Sequence, residues 1–294
     1  MVRKHCVRLE FTGYGVQVDS LAEPADRLYL EVGNRLEPGI IDQHHLASFS
    51  GSTARLVLQN PELIDCAVSP RRAPTDPFTI VLHMNPDLDC LASTYLAIAY
   101  LEHGTFSRQA EALVAYIDQV DQGYLGASHE NPFSLYSAYN YVLHRLTCHK
   151  WNKQDDMWAQ GIKEGLEIVE FVLAEMQARS EAITKIDAFA CPGLFGPADR
   201  HEIQRDLERY RHKLQDPASH ARVITLCLLG RFGGQVTADT LLIRDVQNYN
   251  DPERCLFFKD WARADRYRSP YGDGFIGLCV FESETSTSLP RCIT

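Results

Sequence analysis

No apolar run in this chain approaches the roughly 20 residues that a bilayer span requires. The opening segment, Met1-Val2-Arg3-Lys4-His5-Cys6-Val7-Arg8, lacks the apolar centre of a secretory signal. The nine cysteines form no Cys-x-x-Cys pair and no zinc-ribbon spacing, which argues against a disulfide framework. Several of them, such as Cys90, Cys227 and Cys279, lie in apolar stretches where a free thiol packs as a small hydrophobe. The expectation is a soluble, cytoplasmic protein in a reducing compartment. An excess of basic residues is also missing: the formal net charge is −10. That argues against nonspecific binding to long nucleic acid, but not against a phosphorylated small substrate, because bound cations and local arginines can reverse the sign inside a cleft. There is no internal repeat and no low-complexity tract. With 45% hydrophobic and 23% charged residues disorder is not the default expectation, and its 294 residues suffice for two domains.

What is present alternates strand-like and helix-like patterns, the mark of an α/β fold. Residues 6–11 and 27–32 read as strands, and Glu31-Val32-Gly33-Asn34 as a turn in which Gly33 and Asn34 accept positive φ. Ile40-Ile41 is a further short apolar run, and Ser50-Gly51-Ser52-Thr53 opens a helix over 54–58 with Ser or Thr as N-cap. Residues 78–82 form a continuous apolar run typical of a buried parallel strand, and helical spacing follows over 90–102. Further helices are expected over 109–120, 131–147, 155–185 and 199–214, then strands over 222–229, 240–245 and 275–281. The expected architecture is a parallel-sheet α/β domain over 1–145, a helical connection over 146–185 and a smaller α/β domain over 186–294.

The most informative stretch is His83-Met84-Asn85-Pro86-Asp87-Leu88-Asp89, between the strand at 78–82 and the helix at 90–102. It puts an imidazole and two carboxylates at the carboxyl end of a strand, where open α/β sheets bind their ligands. Two acids two residues apart repel unless a cation or a proton offsets them, and carboxylate with imidazole is a common donor set for divalent metals. Taken alone, the segment reads equally well as a surface turn, since Asn, Pro and Asp are ordinary turn residues. Two further groups fall at element ends: Glu31 with Asp42-Gln43-His44-His45, and Asp118 with Asp121. In a parallel sheet these ends converge on one edge, and a shared metal site explains all three groups better than three separate coincidences.

These motifs resemble the DHH phosphoesterase superfamily. His83-x-Asn85-Pro86-Asp87-x-Asp89 is similar to the first motif of family II inorganic pyrophosphatases and exopolyphosphatases. Asp42-Gln43-His44-His45 resembles the namesake Asp-His-His motif, with Gln43 interposed. Glu31-Val32-Gly33 resembles an Asp-x-Gly motif, and Asp121-Gln122-Gly123 a fourth, acid-plus-glycine motif. The likeness covers about the first half of the chain, in permuted motif order. It implies two divalent ions, Mn²⁺ favoured and Mg²⁺ second, with His83 and Asp87 on one ion, Asp89 on the other and Glu31 bridging. His44 and Asp121 would complete the second ion, Asp42 would orient a histidine, and His45 would face a phosphoryl oxygen. The implied activity is cleavage of a phosphoric anhydride or phosphoester in a polyphosphate, nucleotide or short oligonucleotide by two-metal hydroxide attack.

Arg263, Arg266 and Arg268, near Lys259, are the densest basic cluster late in the chain. They suit a substrate phosphate, since the guanidinium fork matches it, and suit a solvated loop paired with Asp265 and Asp273 equally well. The expected partner is therefore a small phosphorylated substrate, with neither membrane nor long nucleic acid; a homo-oligomer is left open. The alternative function is a noncatalytic protein of the same fold that binds a phosphorylated ligand or a protein partner, motivated by Gln43 and Glu31.

Overall fold

The computed structural model describes residues 7–13, 15–18, 26–44, 49, 51–69, 76–121, 131–147, 154–216, 221–229, 235–244, 278–282 and 292–293. Two compact units emerge: one comprises Met1–Leu125 and Phe133–Leu194, the other Gly126–Pro132 and Phe195–Thr294.

Among the described residues, the first unit is built on five strands: β1 (Val7–Thr12), β2 (Arg27–Leu30), β3 (Leu36–Glu37), β4 (Ile40–Ile41) and β5 (Phe78–His83). Their spatial order is β1-β5-β2-β4-β3. Strands β1, β5, β2 and β4 run parallel, and β3 pairs antiparallel with β4. This is the mostly parallel α/β sheet that the apolar run at 78–82 implied. β5 occupies an interior position, and Phe78, Ile80 and Leu82 on one face and Val81 and His83 on the other are buried, as expected for a strand covered on both faces.

Among the described residues, six α-helices belong to this unit: α1 (Thr53–Gln59), α2 (Glu62–Asp65), α3 (Leu88–His103), α4 (Ala110–Asp121), α5 (Leu135–Thr147) and α6 (Gln154–Arg179). Ser52 caps α1, accepting the Arg55 N–H on its hydroxyl, as the Ser-Gly-Ser-Thr run suggested. Helix α3 ends in Gly104, whose left-handed backbone at φ 70° closes the last turn. The long helix α6 packs on α5, α3 and β1. Its Trp158 meets Phe11 of β1 edge to face, with ring centroids 5.4 Å apart. Gly161 and Gly165 let α6 approach closely: a Cβ at Gly165 would lie 2.8 Å from Leu91 and 2.9 Å from Tyr139. The helical spacing of 155–185 overran the true end at Arg179. Ser180 turns to φ 54°, and a separate 3-10 turn covers Ile183–Lys185.

The second unit contains α7 (Pro197–Gln215) and a four-stranded sheet in the order β6-β7-β8-β9. These strands are β6 (Ala221–Leu229), β7 (Gln235–Arg244), β8 (Leu278–Glu282) and β9 (Cys292–Ile293). Pro197 opens α7 where a missing N–H costs nothing, and Asp199 accepts the Gly196 N–H at 2.6 Å. β7 starts at Gln235 rather than at residue 240, because it pairs antiparallel with the whole length of β6. In such a strand Thr237 and Asp239 can alternate with apolar residues without ending it. Among the described residues, no helix is long and apolar enough to cross a membrane.

Candidate metal centre

Sheet register brings the first three candidate residues to one level. Tyr29 of β2 is aligned with Val81 of β5, so two residues further on Glu31 stands beside His83. Leu30 is aligned with Ile41 of β4, which places Glu31 beside Asp42. Segments that are far apart in the chain thus become neighbours along one sheet edge, because β5 inserts between β1 and β2. The backbone turns sharply here. Glu31 has φ 61°, Gly33 109° and Asn34 55°, and a side chain at Gly33 would place its Cβ 2.7 Å from Ile40. Asn85, in the loop after β5, is also left-handed at φ 56°, a conformation asparagine tolerates better than most residues.

His83 and Glu31 are both about 98% buried, with His83 Nε2 3.3 Å from Glu31 Oε2. His83 Nδ1 lies 2.9 Å from the Met84 carbonyl, which can only accept, so Nδ1 carries the hydrogen. In the neutral ring, Nε2 then presents a lone pair to the Glu31 carboxylate. No hydrogen-bond partner reaches Glu31 Oε2. Two acceptors facing each other away from water require a proton or a cation between them. The arrangement of Nδ1 on a backbone carbonyl and Nε2 turned inward is also how metal-binding histidines are held.

The amino end of α3 supplies the next three groups. Asp87 caps the helix, its Oδ1 accepting the Asp89 N–H at 3.0 Å and the Cys90 N–H at 3.1 Å. Asp89 is buried and accepts the Thr53 N–H at 2.6 Å and the Ala54 N–H at 2.8 Å, so it also caps α1. Cys90 is wholly buried. The loop between β5 and α3 is tied down by the buried Tyr139 hydroxyl, which donates to the Pro86 carbonyl at 3.1 Å.

Two donor sets result. Ligand atoms of Glu31, His83, Asp87 and Cys90 lie within 4.8 Å of one another, and so do those of Glu31, Asp89 and Asp121. Glu31 is common to both. Burial, with added repulsion from Asp87 and Asp121, pushes the Glu31 carboxyl well above the usual range, and a hydrogen bond with Cys90 offsets part of this. Burial likewise raises Asp89, beside Glu31, Asp121 and Asp87. The Cys90 thiol is raised by burial and by the charges of Glu31 and Asp87. Acids this close together, with Glu31 and Asp89 buried and Asp87 and Asp121 open to solvent, make an environment that a bound cation relieves. The residues therefore fit a metal by donor chemistry and by the orphaned oxygen of Glu31.

Asp42 behaves as an orienting group. Burial alone would raise its carboxyl, but hydrogen bonds from the His44 ring, the His44 N–H and the Asn34 N–H hold it below its ordinary value. His44 Nδ1 is 2.7 Å from Asp42 Oδ1, and this bond raises the imidazole above its usual value. His44 is close enough to Asp87 to feel its charge, yet belongs to neither donor set. Asp121 accepts from Gln43 Nε2 at 3.3 Å.

Of the residues expected at the site, the structure gathers Glu31, His83, Asp87, Asp89 and Asp121, and it sets Asp42 with His44 at the rim. His45 and the arginines 263, 266 and 268 lie outside the described residues. Asp118, grouped with Asp121 in the sequence, turns elsewhere. It accepts from Ser52 N at 2.9 Å, Ser52 Oγ at 2.7 Å and Arg55 Nε at 3.0 Å, fastening the start of α1. Cys90 was read as apolar packing; the signal that could have found it is its place three residues after Asp87, one helical turn on. A separate groove of about 540 Å³, lined by Arg108, Tyr116, Gln119, Met176, Gln177 and Thr184 among others, shares no residue with this centre.

No family model matches this chain, and comparison with curated proteins and with solved structures gives no match either.

Proposed function

We propose that the chain is a metal-dependent phosphohydrolase of DHH-like construction. In this reading it cleaves a phosphoric anhydride or phosphoester in a small substrate such as a polyphosphate, a nucleotide or a short oligonucleotide. The carrying observation is Glu31: a buried carboxylate shared by two donor sets, with one oxygen unpartnered against an imidazole nitrogen. His83, Asp87 and Glu31 would hold one divalent ion, and Asp89, Asp121 and Glu31 a second. The oxygen-only second set suits Mn²⁺ or Mg²⁺. When bound, such a pair stabilises the attacking and leaving oxygens of an in-line displacement at phosphorus.

The protein's own groups do the rest. Asp42 fixes the His44 tautomer, so that Nε2 is directed away from the Asp42 carboxylate. The raised pKa of His44 suits it to donate a proton or hydrogen bond to a phosphoryl oxygen near neutral pH. The Tyr139 bond to the Pro86 carbonyl and the two caps made by Asp87 and Asp89 keep the donors in register. The match of motifs at strand ends supports assignment to the DHH-like class, with circular permutation of the order in the chain.

A binding-only reading draws on Gln43, whose amide occupies Asp121. Phosphate release from a panel of inorganic polyphosphates, nucleotides and dinucleotides, with Mn²⁺ or Mg²⁺, separates the two. The hydrolase reading expects metal-dependent release on at least one member and its loss in Glu31→Gln with the fold intact. Metal uptake without release from any member would favour the binding-only protein.

A further inference from the structure

We infer that Cys90 is a thiolate ligand, and that the two ion positions are chemically unlike: His83, Asp87 and Cys90 take a thiophilic divalent ion, Asp89 and Asp121 an oxygen-preferring one, with Glu31 shared. This rests on the metal-centre reading above. The sulfur lies within 4.8 Å of donor atoms of Glu31, His83 and Asp87, and the residue is wholly buried. Its place is set twice over, by the Cys90 N–H bond to Asp87 at 3.1 Å and by the helical step that puts residues 87 and 90 on one face. The independent sign that something binds there is Glu31 Oε2, buried, unpartnered and 3.3 Å from His83 Nε2.

Cys191 shows what a packing cysteine looks like in the same fold: its sulfur sits 3.8 Å from the Glu167 carbonyl and it joins no donor set. Cys90 instead faces three groups that all bind metals. Imidazole, carboxylate and thiolate together favour Zn²⁺, Co²⁺ or Fe²⁺ over Mn²⁺ and Mg²⁺, whereas three carboxylates do not. Ligation exchanges the thiol proton for the ion and releases it to water.

The test is an anaerobic titration of the metal-free full-length chain with Co²⁺, read by absorbance, beside equilibrium dialysis with Zn²⁺ and Mn²⁺. The wild type is expected to develop a near-ultraviolet thiolate-to-cobalt charge-transfer band that saturates at one equivalent. Cys90→Ser should lose the band and bind Zn²⁺ at least about tenfold more weakly, with Mn²⁺ affinity changed by less than about threefold. Cys90→Ala gives the same comparison without a hydroxyl, and far-ultraviolet circular dichroism of the metal-free variants checks the fold. Cobalt uptake by the wild type without the band overturns the thiolate assignment and leaves the metal centre standing. So does a band undiminished in Cys90→Ser. Absence of uptake of any of the three metals by the wild type overturns the centre itself and this inference with it.

Discussion

Glu31→Gln removes a charge while keeping nearly the same volume, and it should separate what the centre costs the fold from what it gives. In the metal-free protein the folded Glu31 carboxyl holds its proton far more tightly than in the unfolded chain, whose ordinary value is 4.5. The folded state therefore binds more protons than the unfolded one above that pH, and stability falls as pH rises until the folded pKa is reached. One such group contributes a slope of at most about 1.4 kcal/mol per pH unit. Between pH 5 and 7 the wild type should lose up to about 2–3 kcal/mol from Glu31, and the glutamine variant should lose that part of the slope. Asp89 adds its own slope in both proteins, reduced in the variant because Glu31 is the first charge acting on it.

Metal reverses the comparison. At a free concentration of 100 Kd, a divalent ion held by these residues should stabilise the wild type by about 2.7 kcal/mol, and Glu31→Gln should forfeit most of this because Glu31 is common to both donor sets. Urea unfolding followed by tryptophan fluorescence, at several pH values with chelator and then with Mn²⁺ or Zn²⁺, measures both effects. A metal-free variant markedly less stable than wild type at pH 7 would refute the reasoning. An undiminished metal-induced gain in the variant would refute it too.

Other expectations follow from the same geometry. Asp42→Asn should return the His44 pKa toward its ordinary value, read by NMR titration of the imidazole. The stability that His44 gains from Asp42 is present at low pH and lost as pH rises through its raised folded pKa; it should be small, because the ring is 45% exposed. Asp118→Ala should cost about 1–2 kcal/mol in urea unfolding, since the Ser52 N–H loses its acceptor while Arg55 keeps only its pairing with Glu111. Gly165→Ala should destabilise by about 1–3 kcal/mol despite better helix propensity, because the new methyl meets Leu91 and Tyr139; equal or greater stability would show that α6 can shift away.

Much of the first unit was legible because its elements are strongly patterned. The run at 78–82 emerged as Phe78–His83, and the helices expected over 90–102 and 109–120 as Leu88–His103 and Ala110–Asp121. β3, α2 and β9 escaped notice: two to four residues carry too little periodicity to declare themselves, and β3 exists because β4 offers it an edge. The acidic and histidine residues were recognisable by type, whereas their grouping depended on register, which a list of strands does not contain. That is why Asp118 and Asp121, three residues apart, could be assigned together although one fastens α1 and the other faces Glu31. Cys90 was hidden by the same ambiguity that makes cysteine a good apolar residue until its neighbours are known.

The interior placement of β5 has a consequence for biosynthesis. Among the described strands, β1 and β2 are separated in space by β5, which is synthesised only after the intervening segment 31–77. Until then both present open backbone to any passing chain, a period of aggregation risk that a contiguous hairpin would avoid. Slowed translation just before Phe78 should prolong that exposure, and a holding chaperone supplied during synthesis should shorten its effect. Residues 31 and 83 meet only when the window closes, so any ion that they hold would be acquired last.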